Sequence, residues 1–199
     1  MLGFGSFSKT SNPAYASFSL SKANIRAVSS TKPPLDVLII PLPFFINPIF
    51  SALIRGSSSG FGFAYAKKLS SEKWTLDLVS ENEKRLQESN KALGYKHAKF
   101  HQADLSEYDS IRNIVDNFET PDLIVANAGI AINGAIANIS KKDKDHAYYL
   151  MYEGVIDLIE GFVPKMIKNG GGRIVIISSI GAITPMPKSA IYSSIKAAI

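Results

Sequence analysis

The chain has 199 residues, 46% hydrophobic and 20% charged, which is enough for one globular domain with a sizeable core. It has no cysteine, so disulfides and thiolate metal sites are excluded. The net charge of +5 does not describe a nucleic-acid surface, because Lys9, Lys22, Arg26 and Lys32 all fall in residues 1–34, where no acidic residue occurs; subtracting those four leaves the remainder at +1.

Residues 1–34 hold eight serines and no sustained apolar period. They read as an organellar transit segment, as a disordered tail, or as sequence upstream of the true start. The expected location is cytoplasmic, with organellar import through this segment as the alternative. Val37 to Ile54 then gives eighteen uncharged, mostly apolar residues, the lower limit for a membrane-spanning helix. Pro41, Pro43 and Pro48 oppose that reading, since each costs about 3 kcal/mol inside a helix. The later part, Ile49 to Ile54, reads better as a short buried strand. The organisation expected is an extension over 1–48 and one domain over 49–199.

Arg55-Gly56-Ser57-Ser58-Ser59-Gly60-Phe61-Gly62 follows that strand, and Ala64 to Leu69 begins an amphipathic helix. Glycines serve where the backbone takes positive φ or must approach a ligand, and a helix N-terminus offers free N–H groups to a pyrophosphate. The spacing is GxxxGxG rather than GxGxxG, and by itself it fits a phosphate cradle or an ordinary loop. Further on, Thr75 to Val79 reads as a strand, Asn82 to Leu93 as a helix and Ala98 to Ala103 as a strand. Ser106 to Phe118 reads as a helix with Ser106 as its cap, and Asp122 to Val125 as a strand running into Asn127-Ala128-Gly129. Such alternation implies a parallel sheet with right-handed crossovers. Ligands in these sheets sit beyond the strand carboxyl ends, where Gly56, Ser80, Asp104 and Asn127 fall.

A mixed-sign run, Lys141 to Asp145, opens a long helix toward Lys168, and after Asn169 to Gly172 a fifth strand, Arg173 to Ile177, delivers Ser179 at its end. Tyr192 and Lys196 are four apart, hence on one face if Ala190 onward is helical. His97 and His101 are also four apart but lie across a strand start with no third ligand, so they read as surface or packing residues and no metal is expected.

Five segments in this order, RGSSSGFG, the ADL containing Asp104, ANAG at Ala126 to Gly129, IISS ending at Ser179, and YSSIK at Tyr192 to Lys196, resemble the short-chain dehydrogenase/reductase family over residues 49–199. The resemblance implies an α/β Rossmann-type fold, a doubly wound parallel sheet in three layers, that binds NAD or NADP. It assigns cofactor contacts to Gly56, Ser58, Ser59, Gly60, Phe61 and Gly62, to Glu81, to Asp104 and Leu105 near the adenine, and to Asn127, Ala128 and Gly129. Tyr192 and Lys196 belong to the same set. It also implies a small carbonyl or alcohol substrate and a homo-oligomer for the full-length protein.

The implied catalytic residues are Ser179, Tyr192 and Lys196. A tyrosine hydroxyl has an ordinary pKa of about 10, and lowering it by about three units takes about 4 kcal/mol. One cation about 4 Å away at an effective dielectric near 20 supplies that much. Ser179 would then hydrogen-bond the substrate oxygen while Tyr192 gives or takes its proton, the hydride belonging to the cofactor.

Several positions depart from the family. Arg55 stands where threonine is usual, and as a bulky cation it is expected either to crowd the glycine turn or to reach a cofactor phosphate. Met151, in the frame Met151-Tyr152-Glu153-Gly154, replaces a catalytic asparagine and removes a partner of the proton relay through Lys196. Ser80-Glu81 occupies a place where NADP-preferring relatives carry arginine; a carboxylate there favours NAD, while Arg55, Lys84 and Arg85 keep NADP open. Family members also continue past the Tyr/Lys helix into two more strands and a closing segment, so this chain alone is expected to expose apolar surface and to have little activity. Two other readings stand beside the reductase: a nucleotide-binding remnant without turnover, and a reductase tethered to a membrane through Val37 to Ile54.

Overall fold

The computed structural model describes residues 26–28, 37–39 and 50–199. Two strands of three residues come first, β1 (Arg26–Val28) and β2 (Val37–Ile39). Then follow β3 (Ser51–Arg55), α1 (Gly60–Ser71), β4 (Thr75–Ser80), α2 (Glu83–Leu93), β5 (Ala98–Gln102), α3 (Tyr108–Asn117) and β6 (Leu123–Ala126). The remainder is α4 (Lys141–Tyr148), a π-turn (Tyr149–Glu153), α5 (Gly154–Lys168), β7 (Arg173–Ile176) and α6 (Ala190–Ala198).

The sheet runs β1-β2-β7-β6-β3-β4-β5, and the five strands from β7 to β5 are parallel. β3 and β6 lie in the middle with helices on both faces, which is why they are nearly continuous apolar runs. The period of two divides their side chains between two cores. Leu53, Val79, Ile124 and Ile174 face α3 and α5, meeting Ile111, Leu158, Phe162 and Met166. Ala52, Ile54, Leu78, Val125 and Val175 face α1, meeting Ala66 and Leu69. On α5 the buried residues Val155, Leu158, Phe162 and Met166 are spaced three and four apart, one stripe of the helix.

Several boundaries differ from the sequence reading. β1 and β2 lie where composition indicates no packed element, in the low-period residues 1–34 and at the start of the apolar run; three-residue strands are too short to display a period. β2 pairs antiparallel with β7 through Val37 to Val175, Leu38 to Ile174 and Ile39 to Arg173. The three prolines of that run, like residues 1–25 of the transit-like segment, lie outside the described residues. Among the described residues no helix is long and apolar enough to cross a membrane.

Ser106 does not cap α3. Its backbone N–H and its hydroxyl both donate to Asp104 Oδ1, at 2.9 and 2.6 Å, and the helix begins two residues later without a side-chain cap. The long helix from Lys141 is interrupted by the π-turn, which a 3.6-residue period passes through unseen. Asn82 lies outside α2 and caps it by accepting from Arg85 N at 2.9 Å.

Candidate active site

The glycine turn is built against β4 and the segment after β6. Gly56 N–H donates to Val79 O at 2.8 Å, and Asn127 Nδ2 donates to Gly56 O at 3.0 Å. Gly56 has φ +66, and a Cβ there would lie 2.7 Å from Ala128 Cα. A Cβ on Gly62 would collide with Gly56 O and lie 2.7 Å from Asn127 Nδ2. These two positions therefore require glycine, and what the missing side chains leave is a shallow cradle at the N-terminus of α1. Ser58 Oγ meets Ser80 Oγ at 2.9 Å, and Ser89 Oγ donates to Ser58 O at 3.1 Å, fixing the turn to β4 and α2.

Beyond these strand ends lies a recess lined by Gly56, Ser58, Ser59, Ser80, Glu81, Arg85, Leu105 and the Asn127-Ala128-Gly129 segment. It brings together most of the residues expected to hold a dinucleotide. Asn82, Ile130 and Leu150 also line it and were not singled out in the sequence, although Asn82 and Ile130 are chain neighbours of residues that were. Gly60 and Gly62 shape the turn without lining the recess. Phe61, 72% exposed, instead borders the neighbouring recess beside Tyr192. Leu105 lines this first recess, whereas Asp104 is engaged by Ser106. Burial pushes the Asp104 carboxyl up, but the two Ser106 hydrogen bonds and the nearby His146 outweigh it and hold the carboxyl below its ordinary range.

The second recess contains Ser179, Tyr192 and Lys196 together with Asn127, Gly129 and Ile130, which it shares with the first. Ser179 follows β7 and accepts from Gly181 N at 3.1 Å. Gly181 has Ser179 Oγ and the Tyr192 ring both close against it, at 3.5 and 3.6 Å from where a Cβ would stand, so the serine and the tyrosine are neighbours. α6 turns Tyr192 and Lys196 to the same side, with Lys196 Nζ 6.0 Å from the tyrosine ring centre. The ammonium donates to Ile177 O at 2.8 Å, and Ser178 Oγ ties the helix back by donating to Lys196 O at 2.7 Å. Burial lowers the pKa of Lys196 from its ordinary value, and the positive charge of Arg55 adds to that.

Two of the departures, Met151 and Arg55, take definite places. Met151 sits in the π-turn, 2% exposed, with its Sδ against Gly129 on the side where Lys196 Nζ also approaches. Arg55 neither crowds the turn nor lines the first recess. It shares the sheet face of Leu53, is fully buried, and donates from Nη2 to Leu150 O at 3.2 Å and Leu105 O at 3.4 Å. Among the described residues no group of three or more His, Asp or Glu side chains is placed to hold a metal. His101 instead meets Asp77 at 2.8 Å across β5 and β4.

A parallel sheet with helices on both faces, a glycine turn opening α1 and ligand recesses at the strand carboxyl ends define a Rossmann-type protein. The chain belongs to the short chain dehydrogenase family, whose profile matches residues 51–199. It is 30% identical over 152 residues to an uncharacterised oxidoreductase of Staphylococcus epidermidis, a match covering 74% of this chain and 66% of that protein. A fatty acyl-CoA reductase of Acinetobacter baylyi is 30% identical over 156 residues, covering 74% of this chain and 53% of that one. Among solved structures, the L-sorbose reductase of Gluconobacter frateurii, complexed with NADPH and L-sorbose, superposes with a TM-score of 0.70 at 30% identity, over 75% of this chain and 59% of that one. The chain thus spans between about half and two thirds of the length of these relatives.

Proposed function

We propose that these residues form the cofactor-binding and proton-handling part of an NAD(P)-dependent oxidoreductase that interconverts a ketone and a secondary alcohol, with Tyr192 as general acid and base. The carrying observation is the pair of adjoining recesses: one is lined by the glycine turn, the other by Ser179, Tyr192 and Lys196, and they meet at Asn127, Gly129 and Ile130. A bound nicotinamide cofactor supplies the hydride.

The chain's own residues divide the remaining work. Ser58 and Ser59, at the N-terminus of α1, offer hydroxyl and backbone donors to a pyrophosphate, within the space that Gly56 and Gly62 leave open. Ser179 Oγ donates to the substrate oxygen and orients it beside Tyr192. In the reducing direction Tyr192 gives its hydroxyl proton to that oxygen as the carbon accepts the hydride, and in the oxidising direction it takes the proton back. Lys196, held by Ile177 O, places positive charge near the tyrosine as its oxygen becomes negative. Around the second recess the side chains of Phe61, Ile130, Ile177, Ile180 and Met186 are apolar, and Lys196 is the one charged lining residue among those described. That lining suits an uncharged substrate.

The choice between NAD and NADP turns on Glu81 and Arg85, which line the same recess. A lean toward NAD rests on Glu81 alone. Arg85 offers a cation on the same wall, and the similar L-sorbose reductase is complexed with NADPH, so either dinucleotide fits the reading. Exchanging Arg85 for glutamate should weaken NADPH binding relative to NADH, and an unchanged ratio of the two dissociation constants would remove Arg85 from this role.

The main test is Tyr192→Phe in the whole protein. Turnover of ketones should fall by about two to four orders of magnitude while the cofactor dissociation constant stays the same. Retained turnover would overturn the assignment. Met151 at the asparagine position favours a second reading, a nucleotide-binding protein without turnover; cofactor binding with no reaction across a panel of ketones and alcohols would select it.

A further inference from the structure

We propose that Arg55 is a positioning residue for Lys196, pinning the turn that carries Met151 to the end of β3 and standing as a second cation behind the lysine. The proposal rests on reading Tyr192 and Lys196 as the proton-handling pair. The geometry begins with the alternation of β3, which sends Arg55 to the face of Leu53, where it is 0% exposed. Its Nη2 spans two elements, reaching Leu105 O after β5 and Leu150 O in the π-turn. Leu150 precedes Met151, and Met151 Sδ and Lys196 Nζ both close on Gly129. The guanidinium therefore holds the turn whose Met151 approaches Gly129 on the side that Lys196 also approaches.

No carboxylate among the described residues forms an ion pair with Arg55, and its Nε and Nη1 meet no acceptor among them. Without a counter-ion, its field is not cancelled locally and extends to neighbouring charges. Arg55 acts on Tyr149 and on Lys196, and at the lysine it works in the same direction as burial: both favour loss of the ammonium proton. The other groups around Lys196 do not oppose this. Its own helix presents Tyr192, the end of β7 presents the neutral Ile177 carbonyl and Ser178, and the segment after β6 presents Asn127 and Gly129. The π-turn presents Met151, while the hydroxyl of its Tyr149 donates to Asp157 at 2.7 Å, and His146 on α4 acts on Asp104. Once Tyr192 has given its hydroxyl proton to the substrate oxygen, a lysine biased toward release can replace it without an asparagine at position 151. The neutral amine takes its own proton back from water in the recess it lines.

The test is to replace Arg55 by two neutral side chains, methionine, which cannot donate to Leu150 O, and glutamine, which can. The titration of Lys196 is then followed by NMR of the isotopically labelled full chain, with the signal assigned by its loss in Lys196→Gln. The midpoint should move upward in both variants, because both remove the charge. Where both fold, movement in Arg55→Met alone, or movement in neither, overturns the proposal. If one variant does not fold, the other is read alone, with upward movement expected and an unmoved midpoint overturning the proposal. If neither folds, Arg55 serves the fold alone and the proposal fails. Because the midpoint is read without turnover, a shifted lysine in an inactive protein sinks the proton-handling reading and leaves this coupling standing, whereas active enzyme with an unmoved lysine sinks the coupling.

Discussion

At the scale of single residues, the site depends on atoms that are absent as much as on those present. Gly62→Ala should lower stability by about 1–3 kcal/mol, because the new methyl displaces Gly56 O and Asn127 Nδ2 and so breaks the bond between them. The same change should weaken cofactor binding at least about tenfold, measured by calorimetry, since the turn and the Asn127 segment line one recess. Met151→Asn should raise turnover of the whole protein if a relay partner beside Lys196 limits the rate. It should also lower stability by about 1–3 kcal/mol, because it places an amide in a site that is 2% exposed, and denaturant unfolding measures that cost. The two responses have opposite sign, which separates a role in proton transfer from a role in packing.

At the scale of elements, α5 is the main support of the face on which Arg55 and Met151 lie. Phe162 is fully buried in the middle of its stripe, so Phe162→Ala should cost about 3–5 kcal/mol in denaturant unfolding. These elements were largely legible in the sequence, because β3, β4, β6 and β7 are apolar runs bounded by turn residues and α2 is closed by Gly94 in the left-handed conformation. Gly56, Ser80, Asp104, Asn127 and Ser179 could be placed at strand ends because an alternating α/β chain leaves few topologies. The π-turn was not legible, since one inserted residue changes hydrogen bonding without altering the apolar stripe on either side. Nor was the destination of Arg55: alternation gives its face of the sheet, but the accepting carbonyls at Leu105 and Leu150 come from segments 50 and 95 residues away. β1 and β2 were missed because three residues carry no period; β2 adds to the edge of β7 and β1 pairs with β2.

For the whole molecule, the buried cation makes stability depend on pH in a definite direction. Burial, partly offset by Tyr149, lowers the pKa of Arg55 from its ordinary value to about 10. The folded state therefore binds this proton less tightly than the unfolded state, so the penalty is fully present below pH 10 and is relieved as pH rises from about 10 toward the ordinary arginine value. Arg55→Met should stabilise the chain at pH 8 by roughly 1–3 kcal/mol, and that gain should shrink above pH 10. Tyr149 works the other way, because burial and then its hydrogen bond to Asp157 raise its pKa and its proton is lost more easily on unfolding. Comparing the variant with the parent at each pH removes the part of that contribution that comes from burial and Asp157 and leaves only the coupling between Arg55 and Tyr149. A gain independent of pH would show that Arg55 is neutralised by another route.

The shared wall at Asn127, Gly129 and Ile130 bears on the order of events in a catalytic cycle. A dinucleotide held by the glycine turn and by Asn127, Gly129 and Ile130 would border the Tyr192 recess and supply the hydride there. The second reactant would then find its full site only in the binary complex. Steady-state kinetics should accordingly be compulsory-ordered, with the dinucleotide first on and last off, and product inhibition by the oxidised dinucleotide should be competitive against the reduced form alone.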